Sequence, residues 1–470
     1  MKALLLLCAA QFMVILDITV VNIALPSIQA DLGIGVRDLQ WVVTAYTLAF
    51  GGLLLLGGRA ADVLGRRRMF LAGLATFTLA SLAAALASTT GMLLAARVAQ
   101  GVGAAMLSPA ALSLVSTIYP DGPERRRALA GWAAVAAAGG AVGVLVGGVL
   151  DELFDWPAIF LINLPIGLAV GISAFRTLPE APAAARQRLD VTGALLATGG
   201  LMALIYGLVE APAAGWGSAR TLTVLLAAFV ILAGFVAVEA RTREPLVHLA
   251  VLRSRPTATA LVLMVTGMGT VLSAFFFLTI YLQGLLGHSP LRTGLEFLPG
   301  AVVLVLAAHA GGGLVSRLGA RAVLATGLAL GATGSLLLSG VPAGGGYVED
   351  VLPGLVVLDL GIGLAAPAIF ITGMAGAGHH DAGRISGLIS AAHELGIALV
   401  LPVLSTIAVS GIGAGTLEEA VAGRPELLAL GLGDAFRAAA GIALAAALLA
   451  LIALRRHDVA RGAGTPAFAH

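Results

Sequence analysis

The feature that most constrains this chain is a succession of apolar runs, each about 20 residues long, filling nearly its whole length. A helix needs about 20 predominantly apolar residues to cross the roughly 30 Å hydrocarbon core of a bilayer. Reading such runs between charged or Gly/Pro breaks predicts fourteen spans: 4–25, 41–61, 69–89, 92–118, 128–150, 158–177, 190–210, 220–240, 257–283, 295–316, 321–341, 351–373, 385–409 and 435–454. Backbone facing lipid must satisfy its own hydrogen bonds, so the spans are read as helices. The alternating ten-residue segments of a β-barrel are absent. Composition excludes a soluble alternative. Only 11% of residues are charged and mean hydropathy is +1.01, against about 25% charged in an ordinary soluble domain. Folded in water, such runs would leave large exposed apolar patches.

The basic residues give an orientation. With the N-terminus in the cytoplasm, 21 of the 27 lysines and arginines fall in inside loops. They include Lys2, Arg59, Arg66–Arg68, Arg125–Arg127, Arg186, Arg188, Arg243, Arg384, Arg455, Arg456 and Arg461. Five, Arg37, Arg220, Arg292, Arg424 and Arg437, fall outside, and Arg97 lies within a span. This positive-inside asymmetry would not survive miscounting one internal span. It predicts a multi-pass protein of a bacterial inner membrane with both ends cytoplasmic. Met1-Lys2 and the apolar stretch after it could mimic a signal peptide. The run continues too far, however, and carries Asp17 inside it. A single cysteine, Cys8, excludes an internal disulfide framework and a multi-cysteine metal site. A net charge of +2 does not suggest nucleic acid.

Two stretches recur. Gly58–Arg68 joins spans 2 and 3, and Gly313–Arg321 joins spans 10 and 11. Gly101-Val-Gly103 in span 4 is matched by Gly361-Ile-Gly363 in span 12. The offsets, 317 − 62 = 255 and 361 − 101 = 260, are nearly one value. Spans 1–6 and 9–14 therefore read as two copies, with spans 7 and 8 inserted. The expected organisation is an N-terminal six-helix bundle over 1–180, two linker helices over 181–250 and a C-terminal six-helix bundle over 251–470. Parallel six-helix repeats of this kind build the major facilitator fold.

Further motifs make the likeness specific. They are Leu16-Asp17 through Pro26, Gln40-Trp41 through Tyr46, the Gly58–Arg68 loop, Arg97-Val-Ala-Gln100-Gly101, Gly139–Gly148, Phe160-Leu-Ile-Asn163 and Tyr281-Leu-Gln283. In this order the chain resembles the fourteen-helix drug:proton antiporter family of the major facilitator superfamily. The resemblance implies an all-α membrane transporter that exports small molecules by alternating access. It departs from the family pattern at Val63, where a basic residue is usual, at Val144 in place of a proline, and at Pro157 in place of an arginine. His393 stands where the family often has arginine.

Three groups of residues are candidates for function. A charge at membrane depth costs about 2.5–3.5 kcal/mol even on the lenient insertion scale, so an acid there is a functional-site hypothesis. Asp17 is the first. At 1.5 Å per residue it lies about 10 Å from the outer face, and Arg97 about 9 Å. The two are expected to communicate, and with Glu394, near the midplane, they form the proton-coupling set. Asp359, His393 and Glu394 are the polar residues of the C-terminal half expected to meet substrate, an anion there favouring cations. His309 is a further polar candidate. The resemblance adds Asn22, Tyr46, Gln100, Tyr281 and Gln283 to the substrate contacts. Asp62, Gly65, Arg66 and Arg67 are read as a cytoplasmic latch. Gly139, Gly143 and Gly147, at i, i+4 spacing, form a smooth stripe that permits close helix approach. Pro26, Pro109, Pro165, Pro299, Pro367 and Pro402 are candidate kink sites.

No phosphate-binding loop, zinc motif or nucleophile elbow occurs. No cofactor or metal is expected, and the energy source must be an ion gradient or the substrate's own. The polar residues are scattered rather than grouped as nucleophile, base and stabiliser, which argues against an enzyme. The reading is a monomeric proton-coupled exporter of cationic or amphipathic small molecules. A dedicated exporter of one metabolite or lipid, or an importer, is the alternative.

Overall fold

The computed structural model describes residues 2–119, 123–179, 190–242, 245–247, 249–375, 382–410 and 425–455. Arg186, Arg188, Arg243, Arg424, Arg456 and Arg461 lie outside these residues, as do the side chains of Arg37, Arg125–Arg127 and Arg384.

The apolar runs fold into helices at all fourteen places. The first six are α1 (Lys2–Leu32), α2 (Val36–Leu64), α3 (Arg66–Ala85), α4 (Thr90–Ile118), α5 (Pro123–Phe154) and α6 (Ala158–Thr177, interrupted at Ile162). Next come α7 (Val191–Ala214) and α8 (Ala219–Glu239). The last six are α9 (Arg255–Leu285), α10 (Pro290–Leu318), α11 (Ala320–Leu338), α12 (Tyr347–Met374), α13 (Ala382–Ser410) and α14 (Pro425–Ala453). Thirteen of the described helices are long and apolar enough to cross a membrane, and α5, at 32 residues, matches them in length.

The helices overrun their apolar runs because polar residues cap them beyond the hydrocarbon. The Thr89, Ser218 and Ser289 hydroxyls accept from the amides of Met92, Thr221 and Arg292, and the Asp190 carboxylate accepts from that of Gly193. Each cap satisfies a donor that helix geometry leaves unpaired. Gly65 between α2 and α3 and Gly319 between α10 and α11 have φ of 103° and 83°. That backbone region favours glycine, so the duplicated loop is duplicated in conformation as well.

α1–α6 pack mainly on one another, with α4 against α2 and α3, and α1 against α5 and α6. α9–α14 repeat this plan, with α12 against α10 and α11, and α9 against α13. The two sets meet along two seams, α2 with α13 and α5 with α10. α7 and α8 pair with each other, and α7 lies across the α2–α13 seam, where Ile205 is buried with Leu48 and Ala398. Thr198 donates to the Gly52 carbonyl on one side of the seam, and Thr406 donates to the Leu208 carbonyl on the other.

The repeat corrects the offset read from the glycine pairs. A Cβ on Gly103 would meet the α3 backbone at Gly73 and Phe77, and one on Gly361 would meet the α11 backbone at Gly327 and Gly331, pairs that share the offset of Gly65 and Gly319, 319 − 65 = 254. Gly103 and Gly361 are therefore counterparts, an offset of 361 − 103 = 258 rather than 260. Two residues is about half a helical turn, so the motif alignment had the right helix and the opposite face.

Candidate functional site

Asp17 is completely buried in α1 and sits at the centre of a polar cluster. Its Oδ2 is 2.5 Å from Nη1 of the buried Arg97 on α4. Its Oδ1 accepts from Gln100 Nε2 and Asn163 Nδ2, each at 2.9 Å. Gln100 also donates to Ser81 on α3. The Arg97 guanidinium donates through Nε to the Val42 carbonyl at 2.8 Å and through Nη1 to Gln100 Oε1 at 2.9 Å. Its carbon lies 4.4 Å from the Tyr46 ring centre. Five helices thus converge on one ion pair. A buried pair is tolerable only when further hydrogen bonds meet the remaining lone pairs and protons, as they do here. Ser81 and Asn163 were not among the predicted site residues. The only signal for them is that both are polar residues inside apolar runs, and Asn163 stands within one of the motifs.

Between the two helix sets lies a cavity of about 940 Å³. The cavity volume is at the upper end for drug-sized ligands. Asn22, Phe50 and Trp132 line it from one side, and Phe275, Phe297, His393 and Glu394 from the other. It extends to Arg59 and Asp62 at the end of α2. At the opposite end the sets touch. Gln283 donates to the Ile23 carbonyl at 2.8 Å, and the Leu291 amide donates to Glu152. There a Cβ on Gly148 would stand 2.6 Å from the Pro290 carbonyl oxygen. The cavity is therefore closed at the end away from the α2–α3 loop.

The predicted residues divide by position. Asn22, Asp62, His393 and Glu394 reach the cavity, whereas Asp17, Tyr46, Arg97, Gln100, Tyr281, Gln283 and Asp359 do not line it. Glu394 is the buried acid on its wall. His393 Nδ1 is 3.1 Å from Glu394 Oε1, while Oε2 has no hydrogen-bond partner. Tyr46 packs inside the first set against Phe50 and Phe77. Tyr281 donates to the Pro342 carbonyl. Asp359 is fully buried in α12 and neither of its oxygens finds a partner. His309 is exposed on α10.

Arg66 pairs with Asp62 at 3.2 Å, and Arg67 donates to the Phe175 carbonyl at 2.6 Å. The loop residues are thus engaged within their own helix set. Gly139, Gly143 and Gly147 face α1, where added Cβ atoms would press on Ile15, Thr19 and Val20. Among the described residues no group of His, Cys, Asp and Glu could hold a metal ion.

Residues 7–401 match the model of the Major Facilitator Superfamily. The chain belongs to that superfamily. The family fold accounts for the paired helix sets and the cavity between them, and the protein is a membrane transporter rather than an enzyme. Curated relatives include the cephamycin export protein CmcT of Amycolatopsis lactamdurans, 41% identical over 95% of this chain and 91% of that protein. The puromycin resistance protein pur8 of Streptomyces alboniger is 39% identical over 87% of this chain and 82% of that one. The tetracenomycin C resistance and export protein of Streptomyces glaucescens is 36% identical, over 87% and 76%. Among solved structures, a bacterial homologue of the lysosomal transporter Spinster, inward-facing and unoccupied, gives a TM-score of 0.70 at 18% identity, covering 99% of this chain and 98% of that one. The POT family transporter PepTSo gives 0.70 at 15%, covering 96% and 97%. At these identities the structural likeness speaks for the fold.

Proposed function

We propose that the protein exports cationic or amphipathic small molecules, antibiotics among them, in exchange for protons. It acts as a monomer in a bacterial inner membrane with both ends cytoplasmic. The observation that carries the substrate reading is Glu394, whose partnerless Oε2 sits on the wall of a largely apolar, aromatic-lined cavity. An organic cation supplies the missing charge there, and the aromatic walls supply surface for its apolar body. Relatives named for the export of cephamycin and tetracenomycin C and for resistance to puromycin support export as the direction.

The coupling reading rests on the buried Asp17–Arg97 pair. Protonation of Asp17 cancels its charge and releases the Arg97 guanidinium to its other acceptors. Asp17 sits within the first set while α1 also presents Asn22 to the cavity, so a change at Asp17 is transmitted along one helix to the substrate wall. Asp62, paired with Arg66 in this conformation, becomes free to bridge to the second set when the cavity closes at that end. Such a bridge would favour the state open to the other side.

The test uses the purified chain in proteoliposomes with an imposed pH gradient. Uptake of ethidium, puromycin and a cephalosporin is followed with and without an uncoupler. Accumulation that collapses with the gradient is expected. Accumulation indifferent to the uncoupler would sink proton exchange. A dedicated exporter of one antibiotic is the second reading, favoured by the near full-length likeness to the cephamycin export protein. Transport of the cephalosporin alone would decide for it.

A further inference from the structure

Two buried acids occupy neighbouring levels of the two helix sets in very different company. The offset that pairs Gly103 with Gly361 also pairs Gly101, one turn from Arg97, with Asp359, since 359 − 101 = 258. The helices they lean on correspond as well. The 254-residue offset of Gly65 and Gly319 matches Tyr46 of α2 to Gly300 of α10. A Cβ on Gly101 would stand 2.5 Å from the Tyr46 carbonyl oxygen. The Asp359 carboxylate lies against Gly300, where an added Cβ would collide with Oδ2. The contact is thus repeated with its sizes exchanged, tyrosine against glycine in the first set and glycine against aspartate in the second.

The surroundings are not repeated. Asp17 has Arg97, Gln100 and Asn163 as donors. Asp359 has none for either oxygen and no exposure to solvent. On α10 the acid one turn from Gly300 is Glu296, which is held by His288 and Arg292. On α13 Glu394 is engaged by His393. On α9 the Tyr281 hydroxyl donates to Pro342, and on α11 Ser335 donates to the Gly331 carbonyl. A carboxylate with neither counter-ion nor donor is not held ionised in an apolar bundle; it takes up a proton.

We propose that Asp359 is a second proton-binding site, loaded in this conformation and emptied in another step of the transport cycle. The inference rests on the antiport reading above. Release breaks the carboxyl O–H bond, leaves the electron pair on the carboxylate and passes the proton to water in the cavity. The distance is short. Ile362 and Gly363, one turn further along α12, and Ala301, beside Gly300, all line the cavity. Separation of α10 from α12 at the Gly300 contact is therefore enough to wet the group. The protein then moves two protons by different means: Asp17 exchanges a proton against an arginine, and Asp359 against water.

Infrared difference spectra of the full chain in lipid nanodiscs, titrated with pH, test the occupancy. A carbonyl band of a protonated carboxyl is expected, lost in Asp359→Asn and displaced in Asp359→Glu. Amide bands and elution behaviour report folding of each variant. Proteoliposomes test the carrier role by counting protons moved per puromycin. Asp359→Asn should carry one proton fewer than the unaltered chain. A band that survives unchanged in Asp359→Asn, or an unchanged proton count, overturns the assignment to Asp359 alone. Absence of any proton movement in the unaltered chain overturns the antiport reading and the carrier role together. A requirement for sodium with no carboxyl band overturns the proton in favour of a metal cation.

Discussion

Arg97 cannot be exchanged for another cation, because it uses three directions at once: Nε toward Val42, Nη1 toward Asp17 and Gln100, and its flat face toward Tyr46. A lysine ammonium has no such planar fork. Arg97→Lys is expected to fold yet transport at least tenfold more slowly under a pH gradient, measured in proteoliposomes. Removing the charge outright is harsher. Arg97→Ala strands a buried carboxylate, and the loss of stability should approach the roughly 3–5 kcal/mol typical of a broken buried pair, read as a drop in melting temperature in detergent. Glu394→Gln leaves the cavity shape intact and removes its charge. Binding of ethidium should weaken about tenfold, equivalent to about 1.4 kcal/mol, while a neutral dye of similar size binds unchanged. Equal loss for both dyes would count against a charge-reading role. At this scale the sequence revealed Asp17 and Arg97 well, since charges inside apolar runs stand out and depth arithmetic matches their levels. It did not reveal which way Tyr46 and Gln100 point. A motif fixes a residue's helix but not the face it turns, and in the structure both turn into their own helix set. Ser81 and Asn163 carry no charge and so raised no signal of depth.

Among the elements, α5 and α10 approach each other through glycines. A Cβ on Gly294 would lie 2.8 Å from the Val144 carbonyl oxygen, the counterpart of the Gly148–Pro290 contact. Gly148→Ala should wedge the closed end apart. Spin labels placed at the ends of α5 and α10 away from the α2–α3 loop, on a background with the buried Cys8 replaced, should report a longer mean distance than in the unaltered chain. Val144, where the family pattern has a proline, both lines the cavity and offers the carbonyl next to Gly294. The fourteen helices and their duplication were legible, because run length and turn glycines are local properties. The register of the duplication was not, because two glycines spaced by two residues serve different neighbours. The place of α7 and α8 was not legible either. They have no repeat partner, and their contacts depend on a seam formed by helices far away in the chain. Ile205 wedges between Leu48 and Ala398 without exposure. Ile205→Ala should cost about 2–4 kcal/mol, in the range for large-to-small changes at buried sites, and lower the melting temperature accordingly.

As a whole, the molecule has two seams of unequal cover. α7 overlies the α2–α13 seam, while among the described residues no further helix crosses the α5–α10 seam. Both seams border the cavity, the first through Leu54, Leu55 and Ile389, the second through Val144, Leu304 and Val305. This difference gives the paired helix sets a front and a back toward lipid. A solute dissolved among the acyl chains meets a double wall at the back and a single wall at the front. An apolar photoreactive probe partitioned into the bilayer should therefore mark α5 and α10 during turnover and spare α2 and α13. The extra hairpin would then work as a shutter, and the bilayer itself as the antechamber from which greasy cargo is drawn through one side only.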